Sequence, residues 1–97
     1  VDQPGFLYAV QHLKNYPGLL KIGKAKNPSN RLTSYQVGCP YRGYSIAFVL
    51  AVPEYSRAEL QAHRLLDGFR IPNTEWFAVS VKDAMHLLSS IDYSEDE

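Results

Sequence analysis

Four cations crowd one short stretch of this chain. Lys21, Lys24, Lys26 and Arg31 fall within Leu20 to Tyr35 (L-K-I-G-K-A-K-N-P-S-N-R-L-T-S-Y), with Gly23 among them to let the backbone turn close to a ligand. Such charge beside a helix start suits a phosphate group, because exposed amides and the helix dipole add to the side-chain charge. A solvated basic loop is the ordinary alternative, and spacing alone favours it. A second group, Glu59, His63 and Asp67, recurs at i, i+4 and i+8 and shares one helix face. The ordinary readings there are a helix acid paired with Arg57 or Arg64, and a histidine hydrogen-bonded to backbone. Cys39, the only cysteine, rules out an internal disulfide and a multi-cysteine zinc site, and nothing beside it marks an activated nucleophile.

These residues need elements to hold them. Gly5 to His12 (G-F-L-Y-A-V-Q-H) reads as a buried strand, and Leu19 to Gly23 as a second strand that stops at its glycine. Pro17-Gly18 suits the centre of a type II turn between them, which makes a hairpin. Asn27 is an N-cap with Pro28 at the first helical position, so a helix carries Arg31 and Tyr35, and Gly38 is placed to end it. Gly43 to Val52 is the most strand-like run and is expected at the centre of the sheet. Glu54 to Phe69 carries a helical stripe of Ala58, Leu60, Ala62, Leu65, Leu66 and Phe69. Thr74 to Val79 is a further short strand. Ser80 caps a last helix through Ile91, with Val81, Ala84, Met85, Leu88 and Ile91 inward. The order β-β-α-β-α-β-α predicts an α+β fold: a small antiparallel sheet, three central strands and a short extra one, flanked by helices.

Ninety-seven residues suit one domain, expected over residues 1–91, with 92–97 as an acidic tail or linker. The net charge is zero, but residues 1–91 hold ten basic and six acidic groups, a balance of +4. A mildly basic body fits a nucleic-acid partner better than the total suggests. No apolar run is long enough to span a bilayer and no signal-peptide core is present, so no membrane is expected. With one cysteine, the natural setting is intracellular, cytoplasmic or nuclear, and further domains could belong to a longer parent chain.

In this order and spacing, Tyr8 in G-F-L-Y, Lys21-Ile22-Gly23, the following K-A-K-N-P-S-N-R and the helix bearing Glu59 resemble the GIY-YIG nuclease superfamily. G-K-A-K-N-x-x-x-R is similar to the same region of a repair nuclease of that superfamily. K-I-G, Glu59-x-x-x-His63 and Glu75-Trp76-Phe77 look like a subfamily found in phage, large-virus and bacterial proteins. The resemblance covers about residues 5–79. It implies a three-stranded antiparallel sheet with helices and a metal-dependent endonuclease that hydrolyses phosphodiester bonds in DNA.

By the same resemblance, Tyr8 orients or deprotonates the attacking water, Gly23 is the second-motif glycine, Lys24 and Arg31 neutralise the scissile phosphate, and Glu59 is the metal ligand. Asn73 sits roughly where a downstream asparagine occurs. Lys21 replaces the second-motif tyrosine with an amine, which can stabilise anionic charge and acts as a base only if burial lowers its pKa. Tyr35, one turn beyond Arg31, is a candidate replacement hydroxyl. The catalytic candidates are therefore Tyr8, Lys21, Lys24, Arg31, Glu59 and His63, and the phosphate-binding ones Gly23, Lys24, Lys26 and Arg31.

A single carboxylate ligand suits Mg2+ or Mn2+, which keep several waters. Glu59 with His63 could instead be half of a zinc site, but no third ligand stands at recognisable spacing. Tyr16, Tyr41, Tyr44 and Tyr55 read as packing or rim residues that would also serve as stacking platforms for bases. Trp76 and Phe77 read as core, and Arg42, Arg57, Arg64 and Arg70 as a possible phosphate track. Two other functions fit the same residues: a non-cleaving nucleic-acid-binding module of this fold, and a protein-interaction domain.

Overall fold

The structure, a computed structural model, describes residues 2–37 and 43–93, without the side chain of Tyr35. Gly38, Cys39, Tyr41, Arg42 and most of the acidic tail lie outside the described residues, as does the expected helix stop at Gly38. Within them the chain runs β1 (Gly5–His12), β2 (Tyr16–Ala25), α1 (Pro28–Val37), β3 (Tyr44–Val52), α2 (Tyr55–Leu65), a 3-10 turn (Asp67–Phe69), β4 (Trp76–Phe77) and α3 (Val81–Ser89). The strands form one antiparallel sheet in the order β3-β1-β2-β4. The expected α+β class and element order are found.

Period-two alternation divides the sheet into two faces. Leu7, Ala9, Leu20, Ile22, Phe48 and Val52 face α2 and α3, where they meet Ala58, Ala62, Leu66, Ala84 and Leu88 in the main core. Ala58 and Ala62 are one helical turn apart, and their small side chains let α2 lie close to the sheet. On the opposite face Tyr8, Val10 and Ala25 form a smaller buried cluster with Tyr44 and Ile46. There α1 packs mainly over the β3 side, and Gln36 brackets Tyr44 by donating to its carbonyl (2.9 Å) and accepting from its amide (3.3 Å).

Six expectations need correction. β3 is an edge strand: its apolar run reflects helices over both faces, not neighbours on both sides. β2 does not stop at Gly23 but continues to Ala25, because the phenol of Tyr8, its cross-strand partner, lies over the glycine and seals that part of the sheet. The hairpin turn is residues 13–15, while Gly18, at φ 77°, lies inside β2 beside the register shift between Val10 and His12. The stripe of α2 is narrower than expected: Leu60 is 51 % exposed and Leu65 and Phe69 each 42 %, Leu60 lying on the outer flank of the helix and Phe69 beyond its end at Leu65. Met85 of α3 is likewise exposed, and Trp76, unlike buried Phe77, is only half-buried.

Two helix starts match their sequence signals. Asn27 Oδ1 accepts from the Asn30 amide at 3.1 Å with Pro28 opening α1, and Ser80 Oγ accepts from the Asp83 amide at 3.1 Å. α2 is capped from outside. The Asp2 carboxylate accepts from the amides of Ser56 (3.0 Å) and Arg57 (2.8 Å), and the Tyr55 amide donates to the Gln3 carbonyl (2.8 Å). Desolvation pushes the Asp2 pKa up, but the amides of Arg57, Ser56 and Gln3 and the Ser56 hydroxyl together outweigh it and hold the carboxyl at about 2.

Candidate functional site

Where β2 ends and α1 begins, a cleft of about 410 Å³ opens, lined by Lys24, Ala25, Lys26, Asn27, Asn30, Arg31, Ser34 and Tyr55. Three of the expected phosphate-binding residues, Lys24, Lys26 and Arg31, meet here, and no carboxylate is among the lining groups. The turn places Lys26, the first helical turns place Arg31, and the last strand residues place Lys24. Lys24 is held by α2: its amine donates to Ser56 Oγ at 2.8 Å and stands 5.3 Å from the centre of the Tyr55 ring. Lys26 and Arg31 are exposed. An anion entering this cleft would meet solvent-exposed charge on one wall and a positioned ammonium on the other.

Glu59 does not line the cleft but is tied to it through α2. It is half-buried, one turn beyond Tyr55 and one turn before His63, hence on the helix face that both residues share. His63 Nε2 is 2.8 Å from the Ile22 carbonyl of β2; since a carbonyl only accepts, Nε2 carries the proton. That contact is the backbone hydrogen bond given above as the ordinary reading of His63, and it docks α2 on β2 beyond the end of short β4. Glu59 therefore stands between two tie points, His63 to Ile22 and Ser56 to Lys24.

Tyr8 is 4 % exposed and sits behind the cleft, in the same buried cluster as Ala25. Gly23 is buried beneath it: a Cβ there would lie 2.5 Å from the Tyr8 hydroxyl oxygen. Its glycine identity has a packing cause. Lys21 lies elsewhere. Three residues before Lys24 on a continuous strand, it points to the opposite face, where its amine is 3.9 Å from Glu75 Oε2. It shares a depression with Arg70, Asn73, Thr74, Glu75 and Trp76. The picture of Lys21, Lys24 and Lys26 surrounding one turn is thus corrected by strand alternation. Asn73 has a conformational role: residues 71–74 form a turn closed by the Thr74 amide on the Ile71 carbonyl (3.1 Å), with Asn73 at φ 64° after Pro72.

The observation that decides the relationship is a family model that matches residues 5–92. The chain belongs to the T5orf172 domain family. T5orf172 domains are GIY-YIG-like and nuclease-type, so the chain is a nuclease-like or DNA-binding module. No curated protein and no solved structure matches it. Among the described residues no helix is long and apolar enough to cross a membrane.

Sequence reasoning missed Ser56 and Asp2, while Tyr55, read as a packing or rim residue, packs against the core and also lines the cleft. The helical stripe from Glu54 gave the helix without a capping residue, and Asp2 supplies the cap. No local signal could have joined Asp2 to a helix more than fifty residues away.

Proposed function

We propose that this T5orf172 domain is a metal-dependent DNA endonuclease that hydrolyses phosphodiester bonds at the β2–α1 cleft. The observation that carries the reading is the cleft itself: Lys24, Lys26 and Arg31 converge beside the start of α1 with no carboxylate among the lining residues. Lys24 and Arg31 take up charge on the non-bridging oxygens, and Lys26 contacts the neighbouring backbone. Ser56 and Tyr55 keep the Lys24 ammonium aimed. Glu59 holds the metal, and Tyr8, packed over Gly23, backs the strand end that carries Lys24.

The donor set fits a hard ion. Among the described residues no three His, Cys, Asp or Glu side chains gather into a metal site, which argues against zinc, whereas Mg2+ or Mn2+ needs one carboxylate and keeps its waters. Such an ion supplies Lewis-acid polarisation of the phosphoryl group and an acidified water. Lys21, turned toward Glu75, is assigned no step in the cleft, and His63 positions Glu59 by locking α2 to Ile22.

One observation favours a second reading. The residue standing where relatives carry the second-motif tyrosine faces Glu75 on the opposite side of the sheet, so a cleft that binds DNA without cutting it also fits. A supercoiled-plasmid nicking assay with Mg2+ or Mn2+ separates the two. Cleavage that falls about 100-fold or more in both Arg31→Ala and Glu59→Ala supports the endonuclease. Cleavage unaffected by both refutes the assignment. Salt-sensitive binding with no nicking in either metal leaves the binding module.

A further inference from the structure

On the sheet face that carries Tyr8, each strand contributes one ring to a row that crosses the sheet in strand order. Tyr44 of β3 meets His12 of β1 edge-on, with centroids 4.7 Å apart. His12 meets Tyr16 of β2 at 5.8 Å, and Tyr16 meets Trp76 of β4 at 4.9 Å with planes tilted by 42°. The row is anchored at one end and open at the other. His12 is buried, its Nδ1 accepting from the Asn15 amide at 3.1 Å, and Tyr44 is bracketed by Gln36. Tyr16, by contrast, is 42 % exposed and Trp76 is half-buried, because α1 covers mainly the β3 side of this face.

Trp76 also lines a depression of about 500 Å³ that holds Lys21, Arg70, Asn73, Thr74 and Glu75. Its charges nearly balance. Lys21 stands 3.9 Å from Glu75, and Arg70 Nε stands 3.6 Å from Asp67 Oδ1 while its guanidinium lies 5.2 Å from the centre of the Phe77 ring. A surface of this kind holds little attraction for a bare phosphate array. What it offers is aromatic area with polar groups at its margin, which suits the flat face and hydrogen-bonding edge of a nucleobase. Bases in a duplex have their faces covered by their neighbours, so only unpaired bases can use it.

We propose that Tyr16 and Trp76 form a second nucleic-acid subsite, distinct from the β2–α1 cleft, that stacks one or two unpaired bases of single-stranded DNA while Arg70 and Lys21 steady the adjoining backbone. The subsite rests on the nucleic-acid reading of the domain but not on cleavage, and it gives the module a preference for DNA with a single-stranded segment.

Trp76 is the only tryptophan in the chain, so its emission reports on this surface alone. The experiment titrates the protein, without divalent metal, with a short oligothymidylate and separately with a blunt duplex. The expected result is quenching of Trp76 by the single strand and little change with the duplex, with a salt slope of about one or less, because the platform charges are already offset. Tyr16→Ala should weaken single-strand binding about 5- to 100-fold, whereas Tyr16→Phe, which keeps the ring, should retain it. A failed nicking assay with intact quenching overturns cleavage at the β2–α1 cleft and not the platform. Unchanged Trp76 emission with oligothymidylate in the wild-type protein, or equal quenching by the duplex, overturns the platform whatever the nicking assay gives.

Discussion

Gly23→Ala is the sharpest test of how this site is built, because packing and ligand approach make different demands on the same glycine. A methyl group there would sit 2.5 Å from the Tyr8 hydroxyl oxygen and 2.7 Å from its Cζ, well inside contact distance. The ring is 4 % exposed and packed with Val10 and Ala25, so it has no room to swing aside. Overpacking of this kind costs about 1–3 kcal/mol, offset by about 0.4–1 kcal/mol from the lower entropy of an unfolded alanine. With the close 2.5 Å contact placing the cost in the upper half of that range, the net loss is about 1–2.6 kcal/mol, equivalent to a fall in Tm of about 4–20 °C for a domain of this size. Urea or thermal unfolding without DNA measures it, which keeps binding out of the comparison. The same substitution in a Tyr8→Val background, where the ring is gone, should be neutral or slightly stabilising. A Gly23→Ala protein within about 0.5 kcal/mol of its parent, or an equal cost in both backgrounds, would refute the packing account.

Three further outcomes follow from other parts of the structure. Asp2 has a folded pKa of about 2 against an ordinary 3.8, so its capping contribution is complete above 3.8 and disappears as pH falls through about 2; Asp2→Asn should flatten the Tm profile across that window. Leu66→Ala, at a fully buried position, should cost about 2–5 kcal/mol in chemical unfolding, while Leu60→Ala on the exposed flank of α2 should stay within about 0.5 kcal/mol. In duplex binding, Lys24→Ala should lower the salt slope by about one and Lys21→Ala should leave it unchanged; equal slopes for the two variants would mean that both lysines serve one phosphate track.

Much of this could be read from sequence wherever the deciding interaction was local. β1 was legible as Gly5–His12 because its apolar run ends in turn residues, and the start of α1 because Asn27-Pro28 satisfies its own first turn. Non-local causes were invisible. Nothing in the uncharged run of β3 tells two covered faces from two flanking strands, and nothing around Asp2 announces a cap for α2. Within the site, the cleft-lining set of Lys24, Lys26 and Arg31 was legible as clustered charge. The separate placing of Lys21 required knowing that β2 runs on through Gly23, and that depended on Tyr8 covering the glycine.

The short length of β4 links the fold to the placing of Glu59. Among the described residues β4 pairs with Leu20 and Lys21 of β2, the Ile22 amide still reaches the Glu75 carbonyl at 3.4 Å, and the strand pairing ends short of the Ile22 carbonyl. A buried carbonyl left unpaired would be costly, and His63 supplies the missing donor. Because the Lys24 ammonium makes the second contact through Ser56, the direction of α2 across the face of β2 is set at two points about two helical turns apart, with Glu59 between them. Two more strand pairs in β4 would take the Ile22 carbonyl into the sheet ladder and release His63, removing one of the two contacts that fix the helix on either side of Glu59.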